Sequence, residues 1–237
     1  MRGLPFAIAA LAGLGYWTAF RPRSQTFGPF PFQGEAIERV IALTFDDGPN
    51  EPYTSRLLAV LAERDVRGTF FMVGRCAERF PATVRAVVEA GHIVGNHSYN
   101  HSFSRYLTMP TQRTEIRRSQ DCLAAIANVR PGLYRPPWLC HWPWVLASVR
   151  AAGLQAVSGR FGDPLEIFQP PASRIAATAA RAAQPGAILI FHDGFDARGG
   201  VRDQTVAAVG PLIDTLRERG YRFATPDELL GVPAYLN

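Results

Sequence analysis

Two kinds of apolar pattern alternate along the chain. The runs at 40–45, 68–73 and 187–191 are apolar, rich in β-branched or aromatic residues and too short for helices, so they predict buried strands. Leu133-Tyr134-Arg135, His92-Ile93-Val94-Gly95, Leu154–Val157 and Tyr221-Arg222-Phe223 add four more. Between them, apolar residues fall three and four apart: at Leu57, Leu58 and Leu61, at Thr83, Val84, Val87 and Val88, over 111–127, over Trp144–Ala152 and over Val206–Arg219. Three of these helices stop at Gly91, Gly153 or Gly220, where glycine supplies left-handed backbone and a strand starts at once. Seven strands alternating with helices or loops predict a parallel sheet, doubly wound or closed into a barrel.

The first strand ends abnormally. It runs into Asp46-Asp47 and breaks at Gly48-Pro49. Two unpaired carboxylates at the end of a buried strand repel each other and lose hydration, unless a positive partner uses them. An Asx turn, with Asp47 capping the backbone before Gly48, is the plainer explanation. Candidate partners follow later strands. His97 and His101, spaced i and i+4, fall on one face of a helical turn, a spacing that suits joint metal ligation and equally suits chance or capping. With Asp47 they supply two imidazoles and a carboxylate, leaving positions open for water and substrate. The Glu that follows the first His of a zincin is missing, so a base must come from elsewhere, and Asp46 stands beside the site.

Arg135-Pro136-Pro137-Trp138 closes the fourth strand. Arg135 suits a bidentate pair with Asp46, although a surface Arg in a proline turn fits the same residues. Two prolines stiffen a loop that could aim a backbone N–H at a developing oxyanion. His192 ends the sixth strand. Asp46, His97 and His192 thus all stand at strand C-termini, the edge where parallel folds gather their chemistry.

Composition narrows the setting. The 237 residues suit one α/β domain with an N-terminal appendage; 47% hydrophobic residues allow a large core, and 19% charged residues are too few for disorder. The net charge of +5 raises the prospect of an anionic partner, but every basic residue is Arg and they are scattered, which argues against nucleic-acid binding. Cys76, Cys122 and Cys140 have no CxxC spacing and read as single thiols. Gly3–Phe20 carries no charge and is flanked by Arg2, Arg21 and Arg23. Residues 1–22 therefore read as a signal anchor or a cleaved signal peptide. Tyr16-Trp17 before Arg21, with no small-x-small site, favours a retained membrane anchor, while the flanking charges are too evenly matched to set its orientation. The setting expected is membrane-anchored or secreted, with an extracytoplasmic catalytic domain. Residues 23–37, rich in Pro, Gly and Phe, predict a linker, and 38–237 the catalytic domain.

Thr44-Phe45-Asp46-Asp47-Gly48, His97-Ser98-Tyr99-Asn100-His101, Arg135-Pro136-Pro137-Trp138 and Leu189-Ile190-Phe191-His192 resemble, in order, the first, second, third and fifth motifs of the polysaccharide deacetylase family, carbohydrate esterase family four. The resemblance covers about residues 38–230. It implies an irregular (β/α) barrel of about seven parallel strands and a divalent metal, usually zinc, with cobalt or another ion as alternatives. It implies Asp46 as base, Asp47, His97 and His101 as ligands, His192 as acid, Arg135 as partner of Asp46, and the Trp138 N–H in the oxyanion hole. The expected substrates are acetylated sugars of chitin, peptidoglycan or xylan. Two departures stand out: Trp138-Leu139 replaces the usual Tyr-Gly, and the fourth motif is degenerate in Ser158–Asp163. There Asp163 is expected to orient His192, and Phe161 to replace an apolar wall.

The resulting expectation is a membrane-tethered or exported hydrolase that deacetylates N-acetylated sugars. Rivals are a deacylase of a lipid-linked amino sugar and a catalytically dead carbohydrate-binding member, against which the intact triad, base and acid argue. A non-haem iron oxygenase shares two His and one carboxylate but leaves Asp46, Arg135 and His192 unexplained.

Overall fold

β1 (Val40–Asp46) sets the layering of the molecule, whose computed structural model describes residues 13, 15, 17–35 and 38–237. Ile41, Leu43 and Phe45 pack with Leu57, Leu61, Leu212 and Ile213 in the largest core cluster. Ala42, one residue out of phase, instead joins Phe71, Ile93, Leu133, Val157 and Ile188, a cluster built on strand and loop residues with the C-terminal segment packed against it. The two-residue period of a strand thus sends alternate residues to the helical layer and to the barrel interior.

The chain continues through α1 (Tyr53–Ala62), β2 (Thr69–Met72), α2 (Gly74–Arg79), α3 (Pro81–Glu89), β3 (Ile93–Asn96), α4 (Met109–Ala127), β4 (Leu133–Tyr134) and α5 (Pro143–Ala151). There follow β5 (Gln155–Ala156), β6 (Arg160–Phe161), α6 (Ala172–Ala182), β7 (Ile188–His192), α7 (Asp203–Glu218), β8 (Arg222–Ala224) and α8 (Pro226–Leu230). The strand order is β5-β4-β3-β2-β1-β7-β6, all parallel, with β8 paired to the first half of β1. Gly91, Gly153 and Gly220 are left-handed just past their helices, as expected.

Eight strands are present among the described residues, one more than the apolar pattern marks. The extra one, β6, is two residues long and leaves no periodic trace in sequence. It matters because β5 and β6 are one stretch of chain: its first half pairs with β4, its second with β7, and Val157-Ser158-Gly159 carries the backbone across the seam. This join turns an open sheet into an irregular barrel.

The stretch expected as a linker is an arm packed on the barrel. Phe30 is fully buried with Tyr134, Leu139 and Leu146, and its backbone N–H and C=O are both held by the Gln25 amide. The Ser158 N–H donates to Pro31 O (2.8 Å) and its Oγ to Pro22 O (2.7 Å), which fastens the arm to the seam. Its phenylalanines suit burial, not a solvated spacer. Of the expected anchor or signal, residues 13, 15 and 17–19 are helical and 20–22 lead into the arm; residues 1–12, 14 and 16 lie outside the described residues. Among the described residues no helix is long and apolar enough to cross a membrane. The three cysteines are free thiols.

Candidate active site

Parallel strands put all their C-terminal ends on one edge of the barrel. Asp46 ends β1 and His192 ends β7, and the register sets them directly opposite each other. His97 follows β3 and Arg135 follows β4. Asp46, Asp47, His97, His101 and His192 line one cavity of about 370 Å³, and Arg135 lies fully buried behind Asp46.

His97 and His101 meet by a route other than a helical turn. The segment between them is a loop in which Ser98 and His101 are left-handed (φ 67° and 50°). Asn96 Oδ1 accepts the Ser98 N–H, Ser98 Oγ accepts the His101 N–H, and Glu115 accepts from Asn100 N and Nδ2. Asp47, itself left-handed (φ 75°), completes the group. Its Oδ1 lies 3.0 Å from His101 Nε2 and 3.3 Å from His97 Nε2, yet receives no hydrogen bond of ordinary geometry.

The partners of the other ring nitrogens explain why. His97 Nδ1 lies 2.7 Å from Arg135 O and His101 Nδ1 lies 2.8 Å from Asp196 Oδ1. A carbonyl and a carboxylate can only accept, so both protons sit on Nδ1 and both Nε2 lone pairs face Asp47. Three buried acceptors converging within 4.8 Å fit a divalent cation. The concentration of negative charge shows in the electrostatics. Burial alone would push the Asp47 carboxyl up, but His101, with His97 and His192, holds it well below the usual carboxylate range. Burial pulls His101 down, and Asp47 and Asp196 more than reverse this, so its imidazole is raised.

Arg135 reaches from the end of β4 to β1, strands separated in the sheet by β3 and β2, so it must cross the barrel interior. Nη1 donates to Asp46 Oδ1 (2.8 Å) and Thr44 Oγ1 (2.6 Å), and Nη2 to Ser158 O (2.9 Å). Its guanidinium lies 4.1 Å from the centre of the Phe71 ring. The expected pairing is present through a single hydrogen bond and is not bidentate, because Nη2 is spent on the barrel seam.

On the other side of the cavity the expected partner of His192 is wrong. Asp163 does not touch it: Oδ1 accepts the Leu165 N–H and Oδ2 pairs with Arg174, so the carboxylate stiffens its own turn. Glu166 takes the place, with Oε2 2.7 Å from His192 Nδ1 and Oε1 accepting from Thr205 Oγ1. Burial pulls His192 down, but Glu166, helped by Asp47 and Asp46, raises it to about 9. Phe161 does wall the cavity, its ring parallel to His192 at 6.4 Å. Trp138 also lines the cavity, left-handed (φ 54°), with its indole edge-on to His101 at 4.5 Å.

Two more residues were not singled out from the sequence. Asp196 grips two of the three ligands: beyond its bond to His101, its N–H donates to Asp47 Oδ2 (2.8 Å). Asp193 is wholly buried, accepts from Thr54 Oγ1 (2.6 Å), and is pushed by burial up to about 7, with Asp47 and Asp46 adding to the rise against the Thr54 bond. A raised carboxyl there spares the site a further full negative charge. The packing is close enough to demand glycine: a Cβ on Gly48 would lie 2.0 Å from Asp193 Oδ2, and one on Gly194 2.4 Å from Asp47 O. Glu166 had one sequence signal, a carboxylate set among Leu165, Ile167 and Phe168 just past the degenerate motif; Asp196 had only its place after a strand end.

Known proteins share this arrangement of fold and chain. A peptidoglycan-N-acetylglucosamine deacetylase of Bacillus cereus is 34% identical over 194 residues, 81% of this chain and 89% of that protein. A chitooligosaccharide deacetylase of Bradyrhizobium sp. is 35% identical over 193 residues, 77% of this chain and 87% of that protein. A solved peptidoglycan N-acetylglucosamine deacetylase superposes with a TM-score of 0.79 at 26% identity, covering 86% of this chain and 94% of that one. The family described as polysaccharide deacetylase matches residues 33–157, which hold three of the four motifs, and the chain belongs to that family.

Proposed function

We propose that the protein hydrolyses the acetamide of N-acetylated sugars in a chitin- or peptidoglycan-like glycan. The observation that carries the reading is the register pair Asp46 and His192, a base and an acid on neighbouring strands, lining one cavity with the buried Asp47, His97 and His101 acceptors. Those three residues would hold a divalent cation, zinc first and cobalt as the alternative. When bound, such an ion acts as a Lewis acid toward water and the acetyl carbonyl.

The chain's own groups do the rest. Asp46, aimed by Arg135, takes a proton from the attacking water. The Trp138 N–H, on a loop stiffened by Pro136 and Pro137, is the proposed donor to the developing oxyanion. His192, kept protonated by Glu166, gives its proton to the leaving amine. Phe161, Leu139 and Ile167 supply the apolar wall that excludes bulk water. The uncharged run Gly3–Phe20 supports a membrane-tethered setting.

Acetate release from chitooligosaccharides, peptidoglycan and acetylxylan tests the reading. Chitooligosaccharide or peptidoglycan should be turned over, and Asp46→Asn should keep the metal while losing about 10²–10⁴-fold in rate. Wild-type turnover by Asp46→Asn, or release from acetylxylan alone, would overturn it.

A further inference from the structure

Among the described residues of the barrel, the large apolar side chains that stand strongly exposed all lie at the catalytic end. Phe103 and Leu107 follow β3, Leu165 and Phe168 follow β6, and Phe195 and Val201 follow β7. Trp138 and Phe161 stand between them at the cavity wall. Helices α1 to α8 present no exposed large apolar residue, so this is not general surface greasiness.

Sugar stacking does not account for the rim. Aromatic faces stack on sugar rings, but Leu107, Leu165 and Val201 have no ring to offer. Neither they nor Phe168 line the cavity. Phe168 is 73% exposed, Val201 60% and Leu107 58%.

The N-terminal arm arrives at the same end. Phe20 stacks on Phe103 at 6.3 Å, and Phe103 meets Trp138 at 5.6 Å. Upstream of Phe20 the sequence is uncharged back to Gly3. Trp17 is exposed with the Arg21 guanidinium 3.5 Å from its ring centre, an aromatic and cation pairing suited to a membrane–water boundary. Among the described residues, a side chain at Gly13 or Gly15 would meet nothing within 4 Å. Arg105, between Phe103 and Leu107, is exposed and adds a cation to the rim, which matches anionic headgroups.

We infer that the catalytic end docks on an anionic lipid surface, and that N-acetylated sugars carried by a membrane lipid are substrates alongside the glycan proposed above. This rests on the deacetylase reading above. The apolar rim would sink into the headgroup boundary, as amphipathic surfaces do, and bring the cavity mouth to the level of a lipid-borne sugar.

The test uses the full chain reconstituted in vesicles of phosphatidylcholine and phosphatidylglycerol. Acetate release is measured from an N-acetylglucosaminyl lipid in those vesicles and from soluble chitooligosaccharide. The triple variant Leu107→Ser/Leu165→Ser/Phe168→Ser should lose about tenfold or more on the glycolipid, given the apolar area removed, and stay within about twofold on the oligosaccharide. Unfolding by circular dichroism checks that it melts with the parent; Phe168→Ser alone, expected to lose about threefold on the glycolipid only, replaces it if it does not. Equal loss on both substrates would make the rim a sugar site and overturn the inference. So would an unchanged rate on the glycolipid, or a parent chain that ignores the glycolipid while cleaving the soluble sugar. Failure of the parent chain on both substrates strikes the deacetylase reading instead.

Discussion

Asp47 Oδ1 is a buried carboxylate oxygen that no hydrogen-bond donor satisfies, and its surroundings divide the labour around it. Asp196 holds His101 by Nδ1 and Asp47 by Oδ2, so it aims two ligands without being one. Asp196→Asn should weaken metal binding by about 10–100-fold, read by chelator competition, while the melting temperature of the metal-free protein barely moves. His97→Ala removes a ligand outright, and metal analysis of the purified variant should find most of the ion gone. Glu166 acts on the acid. His192 must be protonated to serve the leaving group, so activity falls as pH rises through its pKa, which Glu166 lifts to about 9 and a cation at Asp47 pulls back down. Glu166→Gln removes a negative charge 2.7 Å from Nδ1 and should shift the alkaline limb of the rate profile to lower pH. An unmoved limb would mean that another group is the acid.

At the scale of elements, strands with a clear pattern could be read and those without one could not. β1, β2 and β7 are apolar runs of four or more residues, and their ends delivered Asp46, Asp47 and His192 from sequence alone. β6 is two residues long and its neighbour Gly159 is shaped by Ile190, a contact that sequence spacing cannot express. The His pair was legible as ligands but not as a loop, because i, i+4 spacing is shared by helices and by turns with two left-handed residues. Asp163 drew attention by lying inside the degenerate motif, whereas the residue that reaches His192 is Glu166, placed by the short helical turn Glu166–Phe168. The β7 turn carries its own prediction. A methyl on Gly194 would collide with the Asp47 carbonyl. Gly194→Ala should lower stability by about 1–3 kcal/mol in denaturant unfolding and reduce metal content with it. Normal metal content in a destabilised variant would show that the turn can shift without moving Asp47.

For the whole molecule, Arg135 joins function to architecture. One guanidinium neutralises Asp46, caps Thr44, holds the seam carbonyl of Ser158 and lies over Phe71, all in the barrel interior. A desolvated charge of this kind is stable only while its partner stays. Arg135→Met keeps much of the volume and leaves Asp46 buried without a counter-charge, which should cost about 3–5 kcal/mol in denaturant unfolding. Adding Asp46→Asn removes the stranded charge, so Asp46→Asn/Arg135→Met should be more stable than Arg135→Met alone, though inactive. Simple additivity of the two changes would show that the seam bonds to Ser158, not the ion pair, are what the barrel needs from Arg135. Recovery in the double variant would show that the barrel closes without the charge pair, and that Arg135 is kept to hold Asp46 in position for catalysis.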